Sequence, residues 1–409
     1  LSPHISISAA DTEPVHRIRS LRRALALAVT AAGIAALAVV VPSTQAAGAA
    51  GLGLHRGTVH TLAPGVQWQR IAWTNEHGPQ AAWVMSIDLT HKAIHIRPGM
   101  ANGHVNDRET VLKIAHQVHA LGGINGDLFN WYTWLPYGGV GVKGTVFKTP
   151  NPRRPSQFYI RADGHAGIGS LVFTASVKQV NPPGVAEASR VLRAVNTPGS
   201  ADSGRLTLFT PAVSGLSLNR CSAVSGSMRT GVLTVHRVYT QMSKFNRLRD
   251  GHRLLAACGK TGTWLIKHAP LAQKLRIRQH LTTASGKRVQ SFLSAQRLIR
   301  QHGRAVKDPT GFHTTGINPE TGVCVSRDGL HVRFIVADGW MSGNGGRGLT
   351  IADLGRFAAA LHCYSTIVLD GGGSATMVAH RAGGLAVLNE MPRKIVQRPV
   401  PNGLFVVRS

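Results

Sequence analysis

The chain has 409 residues, 43% of them apolar, with 46 Lys and Arg against 18 Asp and Glu and a formal net charge of +28. That length supports one large domain or two to three ordinary ones. The abundance of glycine (46 residues) and scarcity of aromatics argue against a helical bundle, and no heptad, collagen or solenoid period is present. The charge selects polyanions as partners, whether anionic cell-wall polymers, acidic lipid surfaces or phosphorylated sugars. The basic residues are scattered and lack interleaved aromatics, which argues against a dedicated nucleic-acid reader.

At the N-terminus a basic stretch (Arg17–Arg23), an apolar run (Ala24–Val41) and a small-residue segment (Pro42–Ala50) follow in the order of a secretory signal. The apolar run is near the lower limit for a spanning helix, so an uncleaved signal-anchor is the competing reading. Cleavage, a secreted and extracellular protein and no stable membrane span thereafter are expected. Residues 1–57 are read as signal peptide and linker. Four cysteines, Cys221, Cys258, Cys324 and Cys363, favour two disulfides in an exported chain. Of the three connectivities, 221–258 and 324–363 are favoured because each pair lies within one local block. The spacings are too wide for a zinc site of the CxxC kind, and no metal or cofactor is expected.

Apolar and polar residues roughly alternate from Val59 to Ile96, as in strands. Asp107–Leu121 reads as a helix with Val111, Leu112, Ala115, Val118 and Leu121 on one face, Asn106 or Asp107 as cap and Gly122-Gly123 as stop. A short strand, Ile124–Phe129, contains Asp127. Residues 140–300 are strand-and-turn material, with a basic and potentially helical stretch at Ala269–His280. Val323–Ala337 reads as a β-hairpin turning at Arg327-Asp328-Gly329. A Gly-rich loop, Gly339–Gly348, leads to a helix that Thr350 and Asp353 open as a capping box and that buries Ile351, Leu354, Phe357, Ala358 and Leu361. Strand Thr366–Leu369 runs into Asp370. The predicted class is α+β: a mixed β-sheet core flanked by a few helices, with a strand-rich middle region.

The same unit occurs twice: amphipathic helix, turn, buried strand, acidic residue. Strand ends are where ligands bind in helix-flanked sheets, so strands lying close in one sheet would bring Asp127 and Asp370 to one cleft. In Asp370-Gly371-Gly372-Gly373-Ser374-Ala375-Thr376, three glycines cost chain entropy and suit close approach of backbone to a ligand. Their amides would form an anion nest, with Ser374 and Thr376 as added donors; the plainer reading is a tight turn around a structural Asp. In Asn125-Gly126-Asp127 the carboxylate sits among apolar neighbours that would perturb its pKa; the plainer reading is two turn formers ending a strand. Asp328 is most simply the hairpin turn, and Asp338 is either a turn former or an active-site acid. Gly343–Gly348 matches GxGxxG, but Asp338–Ser342 separate it from the preceding strand and no second βαβ unit follows, so it reads as a rim loop.

The segments INGDLF (124–129) and LDGGGSATM (369–377) resemble the phosphodiester glycosidase family. GGVGVKGTV (138–146), NPETGVCVSRDG (318–329), FIVADGW (334–340), GLTIADLGRFAAAL (348–361) and RPVPNGLFVV (398–407) resemble it in the family's order. The resemblance covers roughly residues 60–409 and implies one domain over 58–409, with room for a strand-rich insert at about 170–310. It implies hydrolysis of a sugar-1-phosphodiester, releasing the sugar and leaving a phosphomonoester. Asp127 and Asp370 become the catalytic acids, with Asn125, Gly126, Thr321, Gly371, Gly372, Gly373, Ser374, Thr376, His313 and Arg398 around the substrate and its phosphate. Two positions depart from the family pattern. Glu320 stands before Thr321 where Arg is usual, and Trp340 replaces a commonly basic residue. If either family Arg grips phosphate, Arg347, Arg393 or Arg398 must substitute, or the substrate differs.

A phosphodiester leaves readily, so the chemistry needs one carboxylate as nucleophile or water activator and donors for the departing phosphate. The expected partner is an anionic phosphosugar or cell-wall glycopolymer. The alternative function is a non-catalytic cell-wall or exopolysaccharide-binding protein on the same scaffold. A metal-dependent phosphodiesterase would want a denser His/Asp ligand set than the motifs contain.

Overall fold

The computed structural model describes residues 51–154, 156–213, 215–307, 316–340, 346–390 and 397–409. Two sheets form the part of the fold that carries the acids. Strands Val66–Asn75, Gly78–Asp88, His331–Ala337, Glu320–Val325, Ser365–Val368 and Arg297–Gln301 succeed one another, each antiparallel to the next, within a nine-stranded sheet. A five-stranded antiparallel sheet runs Gly384–Val387, Met377–Arg381, Ala120–Asn125, Asn402–Arg408, Ile94–Met100.

Period-two alternation stacks these sheets. Along Gly78–Asp88, Trp83, Met85 and Ile87 enter the core shared by both sheets, while Ala82 and Val84 join Leu354, Phe357 and Ala358 of helix Ile351–Ala360. Along Asn402–Arg408, Leu404 and Val406 enter the shared core, while Phe405 and Val407 meet Val111, Ile114 and Ala115 of helix Val111–Gln117. Each sheet therefore has one face on its partner and the other under a helix. Strands buried on both faces read as continuous apolar runs, as Ser365–Val368 does.

Two further sheets complete the chain. Residues 140–169 and Val289–Ser294 supply a five-stranded sheet. Strands between Ser189–Val191 and Ala194–Val195 at its edges form an eight-stranded sheet drawn wholly from residues 171–283. The second packs an apolar cluster around Val177, Leu208, Val224, Leu255 and Leu265, which also takes in Val146, Val289 and Phe292 of the five-stranded sheet. The class is α+β with strand predominant. Among the described residues no helix is long and apolar enough to cross a membrane.

Several expected elements are found near their predicted places. Glu320–Val325 and His331–Ala337 pair as the hairpin, with Asp328 accepting the Leu330 N–H in its turn. Thr350 and Asp353 exchange the reciprocal bonds of a capping box (3.1 and 3.0 Å). Cys221 bonds Cys258 and Cys324 bonds Cys363, the two local pairs.

Other boundaries differ. The first helix spans only Val111–Gln117, and its cap is Thr110, which accepts from Lys113, not Asn106 or Asp107. Gly122 and Gly123 do not stop it. They lie inside strand Ala120–Asn125, and Asp127 falls beyond that strand's end. These glycines are strand residues because their neighbours press on the backbone: a Cβ on Gly123 would lie 2.3 Å from Phe405 Cδ1 and 2.5 Å from the Leu404 oxygen. The basic stretch at 269–280 is mostly the strand Lys274–Thr283, with Leu275, Ile277 and Leu281 buried at even spacing; the helix precedes it, at Gly259–His268. Residues 1–50, His313, Arg393 and Gly343–Gly345 lie outside the described residues.

Gly123→Ala should destabilise the fold by about 1–3 kcal/mol, since the methyl has no room without moving backbone. A fall in the urea midpoint at unchanged slope is the expected result.

Candidate functional site

The site is built around Asn125, the last residue of its strand and fully buried. Its Nδ2 donates to the Asp370 carbonyl at 2.6 Å. Its Oδ1 accepts from Thr321 Oγ1 at 2.8 Å and from the Thr376 N–H at 3.1 Å, and its own N–H donates to the Thr376 carbonyl. One amide thereby ties the five-stranded sheet to the Asp370 turn and to the hairpin of the nine-stranded sheet. The Asp370 N–H donates in turn to the Gly126 carbonyl (2.9 Å). Asp127 and Asp370 meet because the chain ends that carry them are cross-bonded. Their strands lie in different sheets, not in one as the repeated unit suggested.

Asp127 is 1% exposed and Asp370 8%. The Asp127 backbone N–H donates to Asn402 Oδ1 (3.0 Å), and Oδ2 accepts the Gly138 N–H at 2.6 Å. The Leu128 N–H also acts on this carboxyl, but among the described residues Oδ1 meets no partner within hydrogen-bond geometry, which is costly for a buried carboxyl oxygen and common where a ligand completes the set. Gly138 has to be glycine, since a Cβ there would lie 2.6 Å from Asp127 Oδ2.

A third acid, Glu320, is equally buried (3% exposed). Its Oε2 lies 2.8 Å from where a Cβ on Gly371 would stand. Burial, reinforced by the charge of Asp370 and opposed by Arg297, pushes the Glu320 carboxyl up to about 8. Burial likewise raises Asp370 to about 7, against the Ser374 hydrogen bond and the Arg398 charge; Asp127 adds to the rise. Burial also raises Asp127 above the ordinary carboxylate range, although the Gly138 N–H, Arg154 and Lys148 pull it back. Lys148, buried beside it and donating to the Gly138 carbonyl at 2.6 Å, is lowered by burial. Crowded buried carboxyls of like charge cannot all ionise.

Cations and aromatics surround the acids. Arg398 packs over the Trp131 ring (4.8 Å) and reaches Ser374 Oγ at 3.5 Å. Its guanidinium lies 2.6 Å from where a Cβ on Gly373 would stand, so that glycine makes its approach feasible. Arg154 stacks over Tyr137 (4.9 Å). Trp340 lies over Gly372, held by its indole N–H on the Ile317 carbonyl. Trp131, Tyr132, Tyr137 and Trp340 are all exposed. The glycine turn is thus bordered by Glu320, Trp340 and Arg398.

The structure therefore gathers Asp127, Asp370, Asn125, Gly126, Gly371, Gly372, Gly373, Ser374, Thr376, Thr321 and Arg398. The Asn125 amide is spent on backbone groups and on Thr321, the Thr321 hydroxyl on Asn125, and the fully buried Thr376 hydroxyl has no partner among the described residues. Arg347 is not there; it lies against Gly78. Asp338 is not a turn former. Its carboxyl accepts the Trp83 indole N–H (3.2 Å) and the Glu390 N–H (3.1 Å), and burial raises it to about 7. Sequence reasoning missed Glu320, Lys148, Arg154, Arg297 and Trp131. Glu320 carried a signal, since it was the departure at the hairpin motif; the others had none. Among the described residues, acid, His and Cys side chains converge tightly at Asp202 with Cys221 and Cys258, and at Glu76 with His77 and Asp353. The first has its thiols in a disulfide, the second its Asp353 in the helix cap, and neither includes the three acids.

Residues 229–407 match the phosphodiester glycosidase family model. The match takes in Glu320, Asp370, the glycine turn and Arg398, while Asp127 precedes it. No curated protein matches the chain. Among solved structures, a hypothetical protein from Synechocystis is similar (TM-score 0.68, 17% identity), over 86% of this chain and 64% of that one. The chain thus spans slightly under two thirds of that protein. A Burkholderia pseudomallei protein described as exported is similar over 87% of this chain and 97% of its own (TM-score 0.67, 15% identity). The zebrafish N-acetylglucosamine-1-phosphodiester α-N-acetylglucosaminidase catalytic domain, auto-inhibited by its pro-peptide, aligns over 87% and 88% at 13% identity and a TM-score of 0.47. At such identities the first two likenesses are of fold alone.

Acids raised in the folded state bind protons more tightly than in the unfolded chain, so their contribution to stability is present at low pH and lost as pH rises from about 4 towards 7–8. Glu320→Gln removes one such ionisation. Its stability relative to the parent protein should therefore improve steadily between pH 5 and pH 8 in urea unfolding, with the reverse trend refuting the assignment.

Proposed function

We propose that the protein is a phosphodiester glycosidase, hydrolysing the bond between a sugar's anomeric carbon and a phosphodiester oxygen. The observation that carries this reading is the meeting of Asp127, one of whose carboxyl oxygens has no hydrogen-bond partner among the described residues, and Asp370 beside the turn that Ser374 and Arg398 border. The family match over residues 229–407 supports it.

Water attacks the anomeric carbon, its proton passing to a carboxylate, or a carboxylate attacks first and water releases the glycosyl intermediate. In either case the C–O bond breaks and the electron pair leaves with the phosphate. Asp127 and Asp370 supply the carboxyls. Their raised pKa values keep a protonated and an ionised group together near neutral pH, the division of labour acid–base catalysis needs. Arg398 and Ser374 meet the negative charge gathering on the leaving phosphate. Trp131, Tyr137 and Trp340 offer exposed rings to the apolar faces of sugars. The net charge of +28 draws anionic substrate towards the molecule. Two disulfides suit an oxidising compartment, in keeping with the signal-like N-terminus, so the protein is read as secreted and its substrate as an anionic phosphosugar or glycopolymer outside the cell. Residues 58–409 are read as the glycosidase-like domain, with the eight-stranded sheet of 171–283 as its insert.

One observation favours a second reading. Glu320 brings a third buried acid against the glycine turn and would repel a bound phosphate when ionised. A scaffold that binds glycopolymer without cleaving it would tolerate that.

Hydrolysis of a sugar-1-phosphodiester in ¹⁸O-water tests both. Label on the sugar supports the proposal; label on phosphate means P–O cleavage; binding without turnover supports the second reading. Asp127→Asn and Asp370→Asn should each lower kcat by about 10²–10⁴-fold with an unchanged far-UV circular dichroism spectrum, and near-parental rates in both would refute the assignment. Arg398→Ala should cost about 10²–10³-fold in kcat, with the loss smaller for substrates whose leaving phosphate carries a more acidic aglycone.

A further inference from the structure

A cavity of about 910 Å³ lies away from the acids, walled by Thr58–Leu62, Trp68, Arg70, Trp83 and His380–Ala382. Its floor is aromatic. The Trp68 and Trp83 rings lie 5.6 Å apart, and His60 stacks on Trp68 at 4.0 Å with 15° between planes. The Arg381 guanidinium stands 5.5 Å from one indole and 5.8 Å from the other. Trp68 is 5% exposed, with its indole N–H buried beneath the floor. Among the described residues no carboxylate lines the space; that of Asp338 lies behind Trp83, whose indole N–H it accepts. An open space bordered by Arg70, Arg381, His60 and His380, with no carboxylate among its described lining residues, is complementary to a ligand that brings negative charge. Both indoles are buried, and the ring that faces the space is that of exposed His60, stacked on Trp68.

We infer that this cavity binds an anionic saccharide unit, bearing phosphate or carboxylate. Its place in the fold links it to the glycine turn. Trp83 donates to Asp338, Asp338 accepts from Glu390, and the adjoining Asn389 accepts from the Met377 N–H and donates to the Ala375 carbonyl at the end of that turn. The ligand's being a saccharide rests on the glycosidase reading. The anionic character rests on the cavity alone.

Calorimetric titration of the full chain at physiological salt tests this, with trigalacturonate and a 6-phosphorylated mannotriose as anionic probes and maltotriose and hexathymidylate as controls. At least one anionic trisaccharide should bind tenfold or more tighter than either control. Arg381→Ala, at an exposed position, should weaken that binding at least tenfold. Arg229→Ala, which removes the same charge from an exposed hairpin end, should change it less than twofold. Turnover of a small glycosyl phosphodiester by Arg381→Ala should stay within twofold of the parent. Equal losses in the two arginine variants, hexathymidylate binding as tightly as the anionic sugars, or no binding would each overturn the inference. Because heat is read and not turnover, a protein that binds without hydrolysing leaves this site standing and sinks only the catalytic reading; one that hydrolyses but does not prefer the anionic sugars does the reverse.

Discussion

The buried side chain of Asn125 is the interaction on which the site depends. An amide in an apolar interior is tolerated only when its donors and acceptors are used, and this one is used by the Asp370 carbonyl, Thr321 Oγ1 and the Thr376 N–H. Those partners come from both stacked sheets. Remove the amide and the Asp370 turn loses its attachment to the strand that leads into Asp127. Asn402 does the matching work for the Asp127 backbone. The two acids are thus positioned by two neutral amides, which hold geometry without adding charge to a crowded electrostatic setting.

That setting is unusual for so basic a protein. Outside, the excess of Lys and Arg makes a long-range field that attracts anions. Inside, three carboxyls share a buried space and are raised together, chiefly by desolvation. The four nearby cations, Lys148, Arg154, Arg297 and Arg398, oppose the rise without cancelling it. The consequence is a group of acids that still exchange protons near neutral pH, behind a surface that gathers negatively charged ligands. Folding accepts the cost of burying the carboxyls because the surrounding sheets bury a large apolar core, from Trp68 and Met85 to Phe334 and Leu404.

Much of the local structure was legible. The capping box of Thr350 and Asp353, the hairpin around Asp328 and the strand entering Asp370 depend on neighbours a few residues apart, and short-range chemistry decides them. The first helix was over-extended because Val118 and Leu121 continue its apolar face and Gly122-Gly123 read as its stop. Only the pressure of Phe405 and Met85 turns those glycines into strand. The stretch at 269–280 misled for a related reason: few positions distinguish a period of 3.6 from one of 2 when basic residues fill the exposed face.

From its residues alone the chain determined its charge, its predominance of strand and the two acid-bearing segments, all properties of composition or of near neighbours; it favoured the cysteine pairing without fixing it. The tertiary structure decided that those turns face each other, since the bond from Asn125 to Asp370 spans 245 residues. It also decided that Glu320, Arg297, Lys148 and Arg154 share their space, and that Trp68, Trp83 and Arg381 enclose a second one. Which side chains meet across stacked sheets depends on register and packing summed over the whole fold, and no short stretch of sequence carries that sum.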